Sequence, residues 1–278
     1  MKLSHPFLSI AATLPFAFGA ARAQVIFNDT FDSGIGAWYI GSTVNDNGNS
    51  TLNNASGELQ FTVGSAQNKD ELIGRSFTEQ TLAVGQTIRL TFDFRQTATT
   101  AIFRAGFTNL SAGPLASDGW AYTTAGTGSG TYAGYYTFIR DNSAVGNVAR
   151  KDPLGSFGNG QTTGAPTFGL TTITSPANTT QFNINDDGTV TYQGLFEITR
   201  TSLTQVDTLL TLKEGLTTRF SVSGVDTTSP LTTFDTALLR ADSGTAFFDN
   251  VKVEVIPEPH AALLGGLGLL ALLRRRRR

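Results

Sequence analysis

The side chains able to do chemistry in this chain are bounded first by two missing types. There is no cysteine, and the only histidines are His5 and His260, one inside each apolar end. The stretch between them offers no thiolate and no imidazole. That excludes disulfides, cysteine nucleophiles, zinc sites built on Cys or His, and the Ser-His-Asp triad. Carboxylates, amides, hydroxyls and aromatic rings remain. Rings bind sugars by stacking on their C–H faces while amides and carboxylates take the hydroxyls. Asp118, Trp120, Tyr122, Tyr132, Tyr135 and Asn142 form a candidate site of this kind. The alternative stays open that these rings cap the core, and Trp38 is expected to be core.

Asp249 is a second point of interest. Strict alternation puts Phe247, Asp249, Val251, Val253 and Val255 on one face of a strand, and Phe248, Asn250, Lys252 and Glu254 on the other. With the valines inward, Asp249 points at the core, which is costly unless the carboxylate is paired, hydrogen-bonded or metal-bound. Asn28, Asp29 and Asp32 are possible oxygen partners, and calcium needs only oxygens. Asp29, Asp32 and Asp249 are therefore candidate ligands of a structural Ca2+. The other reading is that Asp249 takes backbone amides or an arginine, or ends the strand at the rim. Asp186-Asp187-Gly188 reads as a hairpin turn, because the full spacing of a calcium loop is absent.

Two carboxylates about 5 to 9.5 Å apart across a cleft are the mark of glycoside hydrolysis. Glu58, Glu71, Glu79, Glu197, Glu214 and Glu254 are scattered, and no compact Glu-x-Asp-x-x-Glu strand is present. The expectation is a body with no catalytic residues. Gly126, Gly128 and Gly130 lie in a polar stretch with no following helix or lysine, so no phosphate cradle is expected.

The elements that must position these residues are strands. Ile88, Leu90, Phe92 and Phe94 alternate with Thr87, Arg89, Thr91, Asp93 and Arg95. Leu59, Phe61 and Val63 alternate with Glu58, Gln60 and Thr62, and Phe103, Ala105 and Phe107 with Ile102, Arg104 and Gly106. A period of two marks a half-buried strand. Further strands are expected at Tyr135 to Arg140, Thr189 to Arg200, Thr217 to Ser223 and Ala246 to Val255. Asp46-Asn47-Gly48 supplies another turn. Ser111 to Gly134 reads as a long loop with one short strand. The fold class is all-β, two packed antiparallel sheets in one domain over residues 24–256.

Both ends look like addresses. Lys2, an apolar stretch from Phe7 to Ala20 and the small-x-small pattern Ala21-Arg22-Ala23 indicate a signal helix in residues 1–23, cut by signal peptidase before Gln24. At the other end, residues 257–278 comprise Pro257-Glu258-Pro259, an apolar run from Ala261 to Leu273, and Arg274, Arg275, Arg276, Arg277 and Arg278. Thirteen helical residues span about 20 Å, less than a hydrocarbon core of about 30 Å. The arginines extend the reach by snorkelling and favour a cytoplasmic C-terminus, giving a transmembrane helix with the body outside. Between the ends, 13 Lys and Arg face 21 Asp and Glu, a formal charge of about −8. Such a body repels phosphate backbones, so no nucleic-acid partner is expected.

Pro-Glu-Pro, a short apolar helix and an arginine cluster, in this order at the C-terminus, resemble the PEP-CTERM sorting signal. The resemblance covers about the last 22 residues. It implies retention in the inner membrane, then processing by an exosortase near Pro257-Glu258-Pro259 and delivery to the cell surface or extracellular matrix. The body resembles jelly-roll sandwiches of the concanavalin and laminin-G kind. It shows an aromatic first strand (Phe27 to Trp38), a central Phe92-Asp93-Phe94-Arg95, a stretch from Tyr192 to Arg200, and a closing Phe248-Asp249-Asn250-Val251-Lys252-Val253. Galactose-binding-like carbohydrate modules share that ending. Their resemblance implies a calcium-ligating aspartate near Asp249. The leading reading is an exported, non-catalytic, structural or adhesive sandwich that binds exopolysaccharide in a biofilm matrix. Carbohydrate-binding module for external glycans is the first alternative, and glycoside hydrolase the second.

Overall fold

The computed structural model describes residues 22–43, 50–64, 72–97, 102–110, 113–118, 120–123, 132–140, 148–152, 171–173, 182–241 and 244–258. Among them the regular elements are all strands: β1 (Gln24–Asp29), β2 (Tyr39–Thr43), β3 (Thr51–Ala55), β4 (Glu58–Thr62), β5 (Leu72–Thr81), β6 (Thr87–Thr97), β7 (Ile102–Leu110), β8 (Trp120–Thr123), β9 (Tyr132–Arg140), β10 (Val148–Asp152), β11 (Thr171–Thr172), β12 (Tyr192–Ser202), β13 (Gln205–Glu214), β14 (Thr217–Asp226), β15 (Thr233–Ala241) and β16 (Thr245–Ile256). The first sheet runs β14-β13-β12-β6-β16-β4-β3, with β1 also on β16. The second runs β11-β10-β9-β7-β15-β5-β2-β8. Pairing is antiparallel except for β2 with β8. The chain passes back and forth between the sheets, as in a jelly roll.

Burial follows the alternation. Ile88, Leu90, Phe92 and Phe94 of β6 are buried and their neighbours half-exposed. Phe103, Ala105 and Phe107 of β7 face them, and Phe94 lies 4.4 Å from Phe103, ring centre to ring centre. The expected all-β sandwich is what forms, within one compact unit, Ala23–Glu258. The expected first strand from Phe27 to Trp38 ends at Asp29, and β2, β3, β5, β10, β11, β13 and β15 were not foreseen. In β15 the cause is burial on both faces from Ala237 to Ala241, which erases the period of two. Asp186-Asp187-Gly188 is a turn but not a hairpin. Asp187 Oδ1 accepts from Thr189 N and Oγ1, which lowers the Asp187 pKa, and Asp187 bridges to Thr97 instead of joining two neighbouring strands.

No helix among the described residues is long and apolar enough to cross a membrane. Residues 1–21, including Ala21, and residues 259–278, including Pro259 and Arg274 to Arg278, lie outside the described residues, as does Asp46-Asn47-Gly48. Ala23 and Gln24 stand at the start of β1, and Pro257-Glu258 directly follow β16.

Gly194 of β12 faces inward, where an added methyl would collide with the Phe92 ring. Gly194→Ala forces that ring to move within a filled core, at an expected cost of about 1–3 kcal/mol. The drop in urea midpoint measures it. Gly194→Ala with Phe92→Leu should regain part of the loss.

Candidate functional site

Strand register arranges the outer face of the first sheet in transverse rows. One row reads Lys213, Gln193, Asp93, Asp249 across β13, β12, β6 and β16. The next reads Thr211, Leu195, Thr91, Lys252, and a third Leu209, Glu197, Arg89, Glu254. The third row is tied by ion pairs: Arg89 lies 2.6 Å from Glu197 and 3.5 Å from Glu254, and Lys252 lies 3.1 Å from Glu254. Arg95 pairs with Glu58 and lies over the Phe247 ring. In the first row, neither Asp93, Asp249 nor Lys213 forms an ion pair with a described residue.

Asp249 does not point at the core, which corrects the expectation from alternation. Between Asp249 and Lys252 the strand carries one extra residue relative to β6. Asn250 sits at this bulge with φ 50°, in the left-handed region that Asn tolerates better than most side chains. The extra residue shifts the phase, so that Phe248, Val251, Val253 and Val255 are buried while Asp249, Asn250 and Lys252 lie outside. Asn250 Nδ2 donates to Asp93 Oδ2 at 2.8 Å and to Asp249 Oδ2 at 3.1 Å, and Asn250 N donates to Asp249 Oδ1 at 2.7 Å. Partial burial raises the Asp249 pKa. The Asn250 N–H opposes the rise, and Asp93, Glu58 and Asp32 add to it.

A raised folded pKa means that ionising Asp249 opposes folding. Relative stability falls as pH rises from the unfolded carboxylate range through the folded pKa. Asp249→Asn should therefore melt above the parent at pH 7, with the gap closing as pH falls below about 4. Thermal melts at pH 7 and pH 3.5 measure the gap.

Thr91, Phe92, Asp93, Gln193, Gly194, Leu195, Thr211, Lys213 and Asn250 line an open cleft of about 320 Å3 on this face. The side chains of Gln193, Thr211 and Lys213 make no hydrogen bond with described residues, so their donors and acceptors are available to a ligand. Asp93 was legible as an outward residue of β6. Gln193 and Lys213 carried no signal, because only the pairing of β12 and β13 with β6 brings them beside it.

The residues expected to bind are dispersed. Tyr135 is corrected outright: its ring is buried in the core, 6.2 Å from Phe234, and its hydroxyl donates to Asp226. The carboxylate of Asp118 accepts from Ile40 N at 2.8 Å, an anchor for β2. Trp120 and Tyr122 lie in β8 and Tyr132 begins β9, while Asn142 lies outside the described residues. Asp29, Asp32 and Asp249 are not gathered as a ligand set. Asp29 pairs in register with inward Val251, accepts from Trp38 Nε1 at 2.8 Å and pairs with Arg75. Asp32 accepts from Thr30. Among the described residues no three Asp, Glu, His or Cys are grouped to hold a metal.

A second ionic group is internal. Lys151 Nζ lies 2.8 Å from Asp226 Oδ2, 2.5 Å from Thr228 O and 2.6 Å from Ser229 O. Tyr135 Oη donates to the same carboxylate at 2.5 Å and accepts from Leu231 N. Burial, then the bond to Asp226, pushes the phenol pKa far up and keeps it a neutral donor. All three ammonium hydrogens find acceptors, so this group is a structural tie.

No family model and no curated protein matches the sequence. Solved structures are similar only distantly. A Bacillus subtilis protein of unknown function with a galectin-like fold has 13% identity and a TM-score of 0.49, covering 85% of this chain and 100% of that one. The carbohydrate recognition domain of Emp46p has 12% identity and a TM-score of 0.44, covering 84% and 95%. The PL-14 alginate lyase from Aplysia kurodai has 7% identity and a TM-score of 0.45, covering 83% and 99%. The expectation of a body without catalysis is corrected by this set, since it includes enzymes that cleave glycans beside domains that bind them.

Proposed function

We propose that the outer face of the first sheet binds glycans at the cleft between Lys213 and Asp93, and that the chain carries this surface outside the cytosol. The observation that carries the reading is a preformed, solvent-open row of hydrogen-bonding groups: the Lys213 ammonium, the Gln193 amide, the Thr211 hydroxyl, the Asp93 carboxylate and the Asn250 amide. Few of them are used up inside the protein. A hydroxyl-rich ligand satisfies such a set, and hydrogen bonds to charged groups are the stronger ones. The export half of the reading is supported by the small-x-small pattern just before β1 and by the apolar run and arginines after Glu258.

A glycan array probed with residues 24–258 tests the reading. Asp93→Ala should weaken binding about 10- to 100-fold, the loss of one charged hydrogen bond of about 1.5–3 kcal/mol. A loss in Trp120→Ala with none in Asp93→Ala would move the site to the second sheet. Binding to no glycan would end the reading.

One observation favours a second reading, cleavage of the bound glycan. Asp93 and Asp249 are cross-strand neighbours that share the Asn250 amide, and the Asp249 pKa is raised. Two neighbouring carboxylates can divide the roles of acid and base. New reducing ends on the array ligands, absent with Asp249→Asn, would support it.

A further inference from the structure

We infer that the end of the sandwich from which the chain leaves at Glu258 is a lipid-docking surface. The β5–β6 turn, the β12–β13 turn, the start of β1 and the end of β16 all lie at this end, because Thr87 pairs with both Thr199 and Ile256, and Gln24 with Val255. Five large hydrophobic side chains are exposed among the described residues. Four of them lie at or near this end. Val84 is in the β5–β6 turn, Leu203 is 76% exposed in the β12–β13 turn, Val25 is 54% exposed near the start of β1, and Val225 is registered with Asp207 near the start of β13. Only Leu216, in the β13–β14 turn, lies at the opposite end, about 30 Å away along the ten residues of β13.

Aliphatic tips scattered singly over a surface need no partner, whereas a grouping at one end does. The sequence outside the described residues identifies the occupant. It starts directly after Glu258 and, after only Pro259 and His260, runs into the apolar stretch from Ala261 to Leu273 and the five arginines. Glu258 itself packs against Gly85 in the β5–β6 turn, where an added methyl would collide with it, so the exit point is held against this end. A body tethered that closely meets the bilayer at a high effective concentration, and a few shallow aliphatic contacts then suffice to orient it. In this orientation the strands stand away from the lipid, and the side of the first sheet bearing the cleft stays open to solvent.

The inference rests on the export half of the proposed function, with the apolar run after Glu258 as the membrane segment, and is independent of glycan binding. Because the chain has no cysteine, single labels are unambiguous. Full-length Leu203→Cys, Val84→Cys and Leu216→Cys variants, each carrying an environment-sensitive fluorophore, would be reconstituted in phosphatidylethanolamine–phosphatidylglycerol vesicles with acyl-chain quenchers. Labels at positions 203 and 84 should be quenched several-fold more than the label at 216. Equal quenching at 203 and 216 in chains that float with the vesicles overturns the docking surface alone. Failure of the full chain to float removes the membrane reading as well, and the docking surface with it.

Discussion

Lys151→Ala is expected to cost the domain about 3–5 kcal/mol, the usual penalty for removing one partner of a buried ion pair. The reason is less the lost attraction than what is left behind. Asp226 is 3% exposed, and the deletion strands its carboxylate beside the carbonyls of Thr228 and Ser229 with no other ion-pair partner among the described residues. Tyr135 Oη and Thr228 N still donate to it, which is too little for a full charge away from water. Adding Asp226→Asn removes the charge while keeping one of the two acceptor oxygens, which serves Thr228 N, and should recover part of the loss. Urea midpoints of the two variants measure the loss and the recovery. A loss below about 1 kcal/mol in Lys151→Ala would show the pair to be solvated, like a surface salt bridge. The pair joins β10 of the second sheet to the end of β14 of the first, so the expected loss is global.

Trp38→Ala is the second large effect, about 3–5 kcal/mol. The indole is 1% exposed, with its ring edge-on to Phe27 at 6.2 Å and tilted against Phe31 at 6.5 Å. Its truncation leaves a cavity between β1 and β2 that the rings on either side cannot close. It also removes the donor to Asp29, whose carboxylate pairs with Arg75 while that guanidinium lies 4.1 Å over Phe27. The two contributions separate largely in Trp38→Phe, which keeps most of the volume and loses the hydrogen bond, at about 0.5–1.5 kcal/mol for that bond. In a domain of this size the alanine variant should melt about 10 °C below the parent, and the phenylalanine variant a few degrees below. Equal shifts in the two would assign the whole effect to the Asp29 contact.

Where one face of a strand is buried and the other wet, its inward residues could be read directly. Ile88 to Phe94 in β6 and Leu59 and Phe61 in β4 are such cases. β15 escaped because both its faces are covered. Trp38 was expected in the core and is there, whereas Tyr135 was offered to a ligand and is packed inside. A ring beside polar residues looks the same in sequence whether its hydroxyl meets a sugar or the carboxylate of Asp226, ninety-one residues away.

Composition and local period alone determined that this protein is built of strands, that its body is acidic, and that Cys and His chemistry is closed to it. These are properties of residue types and near neighbours, which no packing can alter. The tertiary structure decided which way Asp249 points and what stands beside it. One extra residue at Asn250 inverts the alternation, and the cleft exists only because β13, β12, β6 and β16, far apart along the chain, pair in one register. A period of two is local, whereas register is a contest among distant strands settled by the burial of their common face.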